Sequence, residues 1–282
     1  MLGKFMQVEP IYRAGGRGSL GSEIKAAGRD FFDSIQQLRL SSALAGLDIK
    51  AKYRGSVLGP WWITITMAAL ISGLTLLNTQ LFNVSVRDYL PWVAVGFLTW
   101  GFVSSCLIEG SDTFIAATGM LRQAAIPMMV FVWRVLMRNL IYFAHNFVAI
   151  AAAAILLGFW KTVNVPFTLI GLALILANVS WAILLLGIIS ARFRDIPQIV
   201  TSMVQFVLFM TPVFWLPGNI SRHRYILDFN PFYYLLDALR SPMIGAPLDH
   251  RTLPVLASAA LIGWLTAFAV FTATRRRIVH FL

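Results

Sequence analysis

Long apolar runs separated by short polar connections dominate this sequence, and six of them are long enough to cross a membrane. A membrane-spanning helix needs roughly 20 mostly apolar residues, because the hydrocarbon core of a bilayer is about 30 Å thick. The runs are continuous and do not alternate between polar and apolar positions, so they predict helices and not a transmembrane barrel. The six predicted spans are residues 57–82, 90–109, 131–159, 167–190, 197–216 and 252–274.

A different pattern precedes the first span. In residues 29–56, Phe31, Ile35 and Leu38 recur at helical spacing, with charged and amide side chains off that stripe. This pattern is typical of an amphipathic helix that lies on the membrane surface, although a helix packed on another domain would show it too. Residues 1–28 lack the apolar core and cleavage site of a signal peptide, so we expect a flexible cytoplasmic segment there.

Composition and charge support a membrane location. The chain is 58% hydrophobic and 12% charged, against roughly 45–50% and 25% for soluble domains. Its net charge of +11 indicates contact with anionic lipid and a positive-inside bias, and we expect no nucleic-acid partner. Lys and Arg are concentrated before the first span, in the second-to-third and fourth-to-fifth connections, and in residues 275–282, which predicts two cytoplasmic termini. The six-helix domain is then residues 57–274, followed by a basic tail.

The chain lacks the patterns of common catalytic and metal sites. Its histidines are scattered, Cys106 is its single cysteine, and neither a zinc site nor a Walker or Gly-x-Ser-x-Gly motif is present. We therefore expect no catalytic residue, metal or cofactor in this chain. Ion-coupled carriers need ionisable residues inside their spans. Only His145 with Asn146 lies centrally, and an interhelical hydrogen bond is the simpler interpretation of that pair.

Three segments are more specific than composition. They are DIKAKYRGSVLGPWW at 48–62, ARFRDIP at 191–197 followed by Gln205 and TPVFW at 211–215, and NPFYY at 230–234 leading to Arg240. Their order and spacing closely resemble the ABC-2-type permeases that export lipid-linked polysaccharides such as O-antigen, capsule and teichoic acid. The resemblance runs from about Asp48 to the end of the sequence.

The resemblance implies an all-α integral membrane half-transporter in a bacterial cytoplasmic (inner) membrane. A second copy of the chain would complete the pore, and two separate ATPase subunits would bind ATP and Mg. The cargo would be a glycan on a polyprenyl pyrophosphate, moved from the inner to the outer side. An ABC-2 exporter of a drug or lipid remains an alternative, as does a membrane scaffold of a glycan-synthesis complex.

Residue roles follow from position within the resembled pattern. Basic residues at the membrane boundary suit contact with the lipid pyrophosphate, although lipid anchoring and snorkelling explain them too; they are Lys52, Arg54, Arg134 and Arg138. The resemblance implies that the second-to-third connection carries a short helix that seats in the ATPase, with coupling roles for Asp112, Arg122 and Gln123.

The substrate path and the outer gate are the remaining predictions. Aromatic rings stack on sugar faces, and small or polar residues line wet cavities, but interfacial belts and helix contacts use the same residue types. The predicted path residues are Trp61, Trp62, Ser72, Gln205, Phe206, Phe209, Phe214 and Trp215. Short re-entrant helices are predicted at 225–227 and 232–239 in the last outer loop, with a plain surface cap as the alternative. The resemblance implies an outer gate at Pro231, Phe232, Tyr233 and Tyr234.

Overall fold

A computed structural model describes residues 19–217 and 225–282, and α-helices make up most of this part. The five longest helices form a bundle, and the shorter ones lie at its two ends. In chain order the helices are α1 (Leu20–Gln36), α2 (Leu38–Lys52), α3 (Trp61–Phe82), α4 (Val86–Ser111), α5 (Thr113–Ala116), α6 (Thr118–Gln123), α7 (Met129–Leu157), α8 (Val165–Arg192), α9 (Ile196–Met210), α10 (Tyr225–Asp228), α11 (Pro231–Ile244) and α12 (Thr252–Phe281). A short 3₁₀ turn, Phe159–Thr162, precedes α8.

Five of these helices, α3, α4, α7, α8 and α12, are long and apolar enough to cross a membrane. The chain is therefore an all-helical multi-pass membrane protein. The predicted fifth span, 197–216, is not one continuous helix, because α9 ends at Met210 after 15 residues. Pro212 explains the early end: it has no N–H to donate, and it disfavours helical backbone at the residue before it. Thr211 is accordingly extended, with φ −104° and ψ 137°.

Helix α4 is the centre of the bundle. It contacts α3, α7, α8, α9 and α11, and its apolar side chains, including Val93, Leu98 and Phe102, are almost fully buried. A helix that is apolar all round lies in a protein core or spans a membrane. By contrast, α3 leaves most of its surface uncovered. Apolar side chains of α3 therefore face outward, among them Leu76, Leu77 and Leu81.

Gly96 permits the closest approach to α4. A Cβ built on Gly96 would overlap both the Arg240 guanidinium and the Val213 carbonyl. These two groups come from α11 and from the segment after α9. Because Gly96 has no side chain, α11 and the segment after α9 can both pack closely against α4.

We expect Gly96→Ala to destabilise the folded chain by about 1–3 kcal/mol, the usual cost of overpacking a filled core. Gly101 is the matched control, because it lies in the same helix and nothing lies within 4 Å of a Cβ built there. Gly101→Ala should be neutral, or stabilising by up to about 1 kcal/mol through helix propensity. Thermal unfolding of the full chain in detergent measures both, and equal melting temperatures would contradict the packing described.

The predicted amphipathic helix at 29–56 is two helices that start earlier, at Leu20, and break at Gln37. They pack on the bundle itself, α1 against α12 and α2 against α7. Phe31 lies inward with its ring 5.7 Å from Trp264 and 6.1 Å from Trp133. Within the segment 1–28, expected to be flexible, the residues from Leu20 onward are helical. Residues 1–18 of that segment lie outside the described residues.

The helices predicted near 225–227 and 232–239 are observed as α10 and α11. The Asn230 side chain accepts a hydrogen bond from Phe232 N–H at 2.9 Å and caps α11, and Pro231 occupies the first helical position, where its missing N–H costs nothing. Helix α11 contacts α4, α8 and α12. Most of its residues are buried against the bundle.

Candidate functional site

Charged side chains from three helices meet at one end of the bundle. We call it the basic end; it comprises α1, α2, α5, α6, the starts of α3, α7 and α9, and the ends of α4, α8 and α12. Arg134 of α7 forms a two-pronged ion pair with Asp48 of α2, with N–O distances of 2.5 and 2.8 Å. Arg138, one turn along α7, bonds both Asp48 at 2.6 Å and Glu109 of α4 at 2.8 and 2.9 Å. We call these four residues the ionic cluster.

The ionic cluster is balanced in charge and partly shielded from solvent. Two arginines face two carboxylates, and their side chains are 17–26% exposed. Asn139 adds a hydrogen bond to Glu109 Oε2 at 2.7 Å. Desolvation opposes ionisation of Asp48, but the hydrogen bonds and charges of Arg134 and Arg138 outweigh it, and the pKa of Asp48 lies below its usual value. Asp48 is therefore a carboxylate at neutral pH, and the cluster ties the end of α2 to α4 and α7.

A second carboxylate supports the same end of α7 from α1. Asp30 is 3% exposed and accepts hydrogen bonds from the backbone N–H groups of Met128 and Met129 at 3.2 and 3.1 Å. These N–H groups at a helix start have no partner within the helix, so Asp30 caps α7 from another helix. Arg275 of α12 lies 3.5 Å from the Asp30 carboxylate. Desolvation raises the pKa of Asp30, against the lowering effects of these hydrogen bonds and of Arg275.

The four predicted phosphate contacts separate into two groups. Lys52 and Arg54 are exposed at the junction of α2 and α3. Arg134 and Arg138 point into the bundle and are engaged by Asp48 and Glu109. The structure therefore brings Lys52 near the ionic cluster, but it gives the two arginines protein partners that the sequence pattern did not predict.

The predicted coupling residues all lie on the surface of the connection between α4 and α7. Asp112, Arg122 and Gln123 are exposed, whereas Phe114 and Leu121 in the same connection are buried and anchor it to the bundle. Such a connection presents polar side chains outward on a fixed backbone, which is the geometry that docking a partner requires.

The predicted path residues lie on two helices that pack on the same neighbour. Helices α3 and α9 both contact α4. The path residues of α3 and α9 are exposed, whereas Phe214 and Trp215 in the following segment are half-buried. The small polar residues of α3 differ in exposure: Thr64 and Thr75 are buried, whereas Ser72 is exposed. The exposed members are Trp61, Trp62, Ser72, Gln205, Phe206 and Phe209.

The predicted outer gate belongs to a packed structure at the opposite end of the bundle. Along α11, Pro231 is exposed, Phe232 and Tyr233 are partly buried, and Tyr234 is buried. The Tyr234 hydroxyl donates to the carbonyl of Asp228 at 2.9 Å.

The segment after α9, residues 211–217, is held to this end by side chains from other elements. Arg240 donates to the carbonyls of Pro212 and Val213 at 2.7 and 3.1 Å. Tyr89 of α4 donates to the carbonyl of Phe214 at 2.5 Å, and Trp92 donates to that of Trp215 at 3.3 Å. The chain has left the helix at Pro212, so its carbonyls depend on these donors.

The central His145–Asn146 pair makes one contact between helices and one within its own helix. Asn146 accepts a hydrogen bond from Thr64 of α3 at 3.1 Å, which confirms an interhelical bond. A ring nitrogen of His145 lies 2.8 Å from the carbonyl of Ile141, one turn earlier in the same helix.

The sequence pattern identified the basic residues Arg134 and Arg138, but it did not identify the carboxylates that pair with them. Asp48 and Glu109 were visible as acidic residues beside basic ones, but 86 residues separate Asp48 from Arg134. No sequence pattern distinguished Asp30 or Tyr142. Asp30 fits the polar face of an amphipathic helix, and Tyr142 fits any position in a membrane span. Arg240 follows the NPFYY motif in the sequence, but its burial depends on the space that Gly96 leaves on α4.

The chain is similar to known membrane transporters over most of its length. The model of the family described as "ABC-2 type transporter" matches residues 41–244. The chain is 24% identical over 242 residues to the O-antigen export system permease protein RfbA of Myxococcus xanthus, covering 84% of this chain and 93% of that protein. It is 18% identical over 240 residues to an O-antigen export system permease protein RfbA of Klebsiella pneumoniae, covering 83% and 92%.

Proposed function

This chain belongs to the ABC-2 type transporter family, and from that premise we propose that it is the permease subunit of an ATP-driven O-antigen exporter. The cargo is a polysaccharide carried on a polyprenyl pyrophosphate, moved from the inner to the outer side of a bacterial cytoplasmic membrane. The observation that carries this proposal is the similarity to two O-antigen export permeases over nearly their whole length.

Six crossings of the membrane fit the geometry of the short helix α9. Its 15 residues give about 22 Å at roughly 1.5 Å per residue. The non-helical residues after it are hydrogen-bonded to Tyr89 and Trp92, in the first two turns of α4. We infer that α9 and this segment together make one crossing from the basic end to the opposite end. Six crossings place the basic end and both termini in the cytoplasm, in agreement with the positive-inside rule.

Partner subunits are part of the proposal. The sequence has no Walker motif, so ATP and Mg bind to two separate ATPase subunits below the basic end. A second copy of the chain completes the passage, with the outward faces of α3 and α9 towards it. Those faces carry exposed apolar side chains such as Ile65, Leu76 and Phe206, which need either lipid or another protein surface as cover.

The passage and its outer gate take their residues from the exposed faces described above. Trp61, Trp62 and the exposed residues of α9 offer rings and amides to a sugar chain. At the opposite end, the start of α11, with Pro231, Phe232, Tyr233 and Tyr234, borders the exit. Arg240 of α11 is hydrogen-bonded to the segment after α9, and this contact supports the gate.

Deletion of the gene in its native cells tests the cargo. Loss of the permease should leave polyprenyl-linked glycan in the inner leaflet and remove it from the cell surface, as measured by lipid extraction and surface labelling. Normal pools of lipid-linked glycan together with new drug sensitivity would favour a drug exporter. Unchanged export with less glycan synthesis would favour a scaffold.

The exposed connection between α4 and α7 provides a test of coupling. In the permease purified with its ATPase, we expect Arg122→Ala combined with Asp112→Ala to lower ATP-driven transport several-fold while the melting temperature stays the same. The side chains are exposed and make few contacts to lose. Lys161→Ala, at the opposite end, is the control and should leave transport unchanged. A double variant with normal transport would place the docking surface elsewhere.

A further inference from the structure

A cavity of about 250 Å³ lies beside the ionic cluster, between α3, α4 and α7 and below the end of α2. It has more room than a single water needs. Its lining combines an apolar wall with hydrogen-bonding side chains contributed by three helices, α2, α4 and α7. The polar lining residues are Lys52, Ser105, Glu109, Asn139, Tyr142 and Asn146.

Tyr142 presents a hydroxyl that lacks a protein partner. The residue is only 8% exposed, and its hydroxyl makes no hydrogen bond to any of the residues that the structure describes. A buried hydroxyl without a partner is unfavourable, and such groups in native proteins usually bind something outside the chain. Tyr142 is one of the residues that line the cavity, so the partner of its hydroxyl is to be sought there.

The charge of the cavity favours an anion. The ionic cluster is neutral, with two arginines against two carboxylates, and the three hydrogen bonds to Glu109 all reach Oε2 from Arg138 and Asn139. Lys52 therefore leaves one positive charge in excess. Its ammonium lies 5.2 Å from the centre of the Tyr142 ring, close enough for one ligand to contact both side chains.

The ionic cluster also fixes the position of Lys52. Asp48 and Lys52 are four residues apart on α2 and so project from the same face of the helix. Arg134 and Arg138 hold Asp48, and with it the last turn of α2. The two arginines are thus positioning residues for Lys52.

The deeper part of the cavity has an aromatic wall. Going inward from the basic end, α4 contributes Glu109, then Ser105, then Phe102, while α7 contributes Tyr142, then Phe143, then the polar Asn146. The rings of Phe102 and Phe143 lie 5.3 Å apart. These two rings offer an apolar surface to a lipid chain whose headgroup lies nearer the basic end.

We propose that this cavity binds the phosphate headgroup of an inner-leaflet lipid, with Lys52 and Tyr142 as its ligands and the lipid chain directed towards Phe102 and Phe143. The inner-leaflet location rests on the proposed function. The phosphate chemistry does not, because a polyprenyl pyrophosphate and an anionic phospholipid both supply it.

Lipid binding to the full chain purified in detergent tests the site. Native mass spectrometry would titrate farnesyl pyrophosphate, dioleoyl phosphatidylglycerol and the phosphate-free dioleoylglycerol. Lys52→Gln and Tyr142→Phe should each weaken binding of a phosphate lipid about tenfold, as expected for losing a hydrogen bond to a charged group. Lys50→Gln, a change of an exposed lysine on the same helix, should leave the affinity unchanged.

Melting temperatures separate a binding role of Tyr142 from a structural one. Its hydroxyl has no described protein partner to lose, so Tyr142→Phe should melt at or above the wild-type temperature while binding more weakly. A lower melting temperature with normal lipid affinity would overturn the proposal. So would wild-type affinity of both variants for both phosphate lipids, or equally tight binding of dioleoylglycerol.

The two probes and the export test remain independent of each other. Weakened binding of farnesyl pyrophosphate alone assigns the site to a prenyl pyrophosphate, and weakened binding of phosphatidylglycerol alone assigns it to a resident phospholipid. If the deletion strain exports glycan normally while the variants still lose lipid binding, the proposed function fails and the site stands. If export is lost on deletion but the variants bind normally, the site fails alone.

Discussion

Arg240→Ala is expected to lower the free energy of unfolding by about 3–5 kcal/mol, one of the largest effects of a single substitution in this chain. The guanidinium is 2% exposed, donates to two backbone carbonyls and lies 4.0 Å from the centre of the Trp92 ring. Alanine removes a cation–π contact, leaves both carbonyls without their donor and opens a cavity. Thermal unfolding of the full chain in detergent measures the loss.

Two further variants make this expectation specific. Arg240→Lys keeps the charge but lacks the planar fork that serves two carbonyls at once, so it should recover only part of the stability. Arg251→Ala is the control, because Arg251 is 54% exposed and forms a 3.5 Å ion pair at the same end. It should cost less than about 1 kcal/mol. Equal stability of the alanine variants at 240 and 251 would contradict the structural role of Arg240.

Arg138→Met is expected to cost about 3 kcal/mol, at the lower end of the range for breaking a buried ion pair. Arg138 bridges Asp48 and Glu109, and its removal leaves Glu109 with Asn139 as its described partner. The cluster is 19–26% exposed at these three side chains, so water screens part of the loss. The effect should appear as a lower melting temperature in detergent.

A double-mutant cycle isolates the interaction. Adding Glu109→Gln to Arg138→Met removes the unpaired carboxylate, and we expect it to recover about 1–2 kcal/mol, a coupling typical of residues in contact. Arg39→Ala, at an exposed position on α2, should be close to neutral. Additive effects of the two cluster substitutions would show that Arg138 and Glu109 do not interact in the folded protein.

Membrane residence, helical class and the positions of most spans could be predicted from the sequence, because they depend on local composition. Twenty consecutive apolar residues can satisfy their backbone in lipid only as a helix or in a closed barrel. The five long helices overlap five predicted spans. Pro212 was visible in the sequence as well, but its consequence, the end of α9 at Met210, depends on the carbonyls after it finding donors in Arg240, Tyr89 and Trp92.

The amphipathic pattern before the first span shows the limit of periodicity. It predicts a helix with one apolar face but not what that face touches. Phe31 packs against Trp133 and Trp264, while Phe32 and Ile35 are exposed. The buried Asp30 is the clearest case, since a carboxylate in an amphipathic helix is expected to face water and here caps another helix.

The sequence by itself determined that this chain is a helical membrane protein of the ABC-2 kind, with a basic side and an apolar middle, since hydropathy, charge asymmetry and short motifs are local properties. Only the tertiary structure decided which charges are free. Asp48, Glu109, Arg134 and Arg138 come from three helices, and their neutrality leaves Lys52 as the cation beside the buried Tyr142 hydroxyl. Ion pairs and cavities depend on distances of a few ångströms between residues far apart in sequence, and no local pattern encodes them.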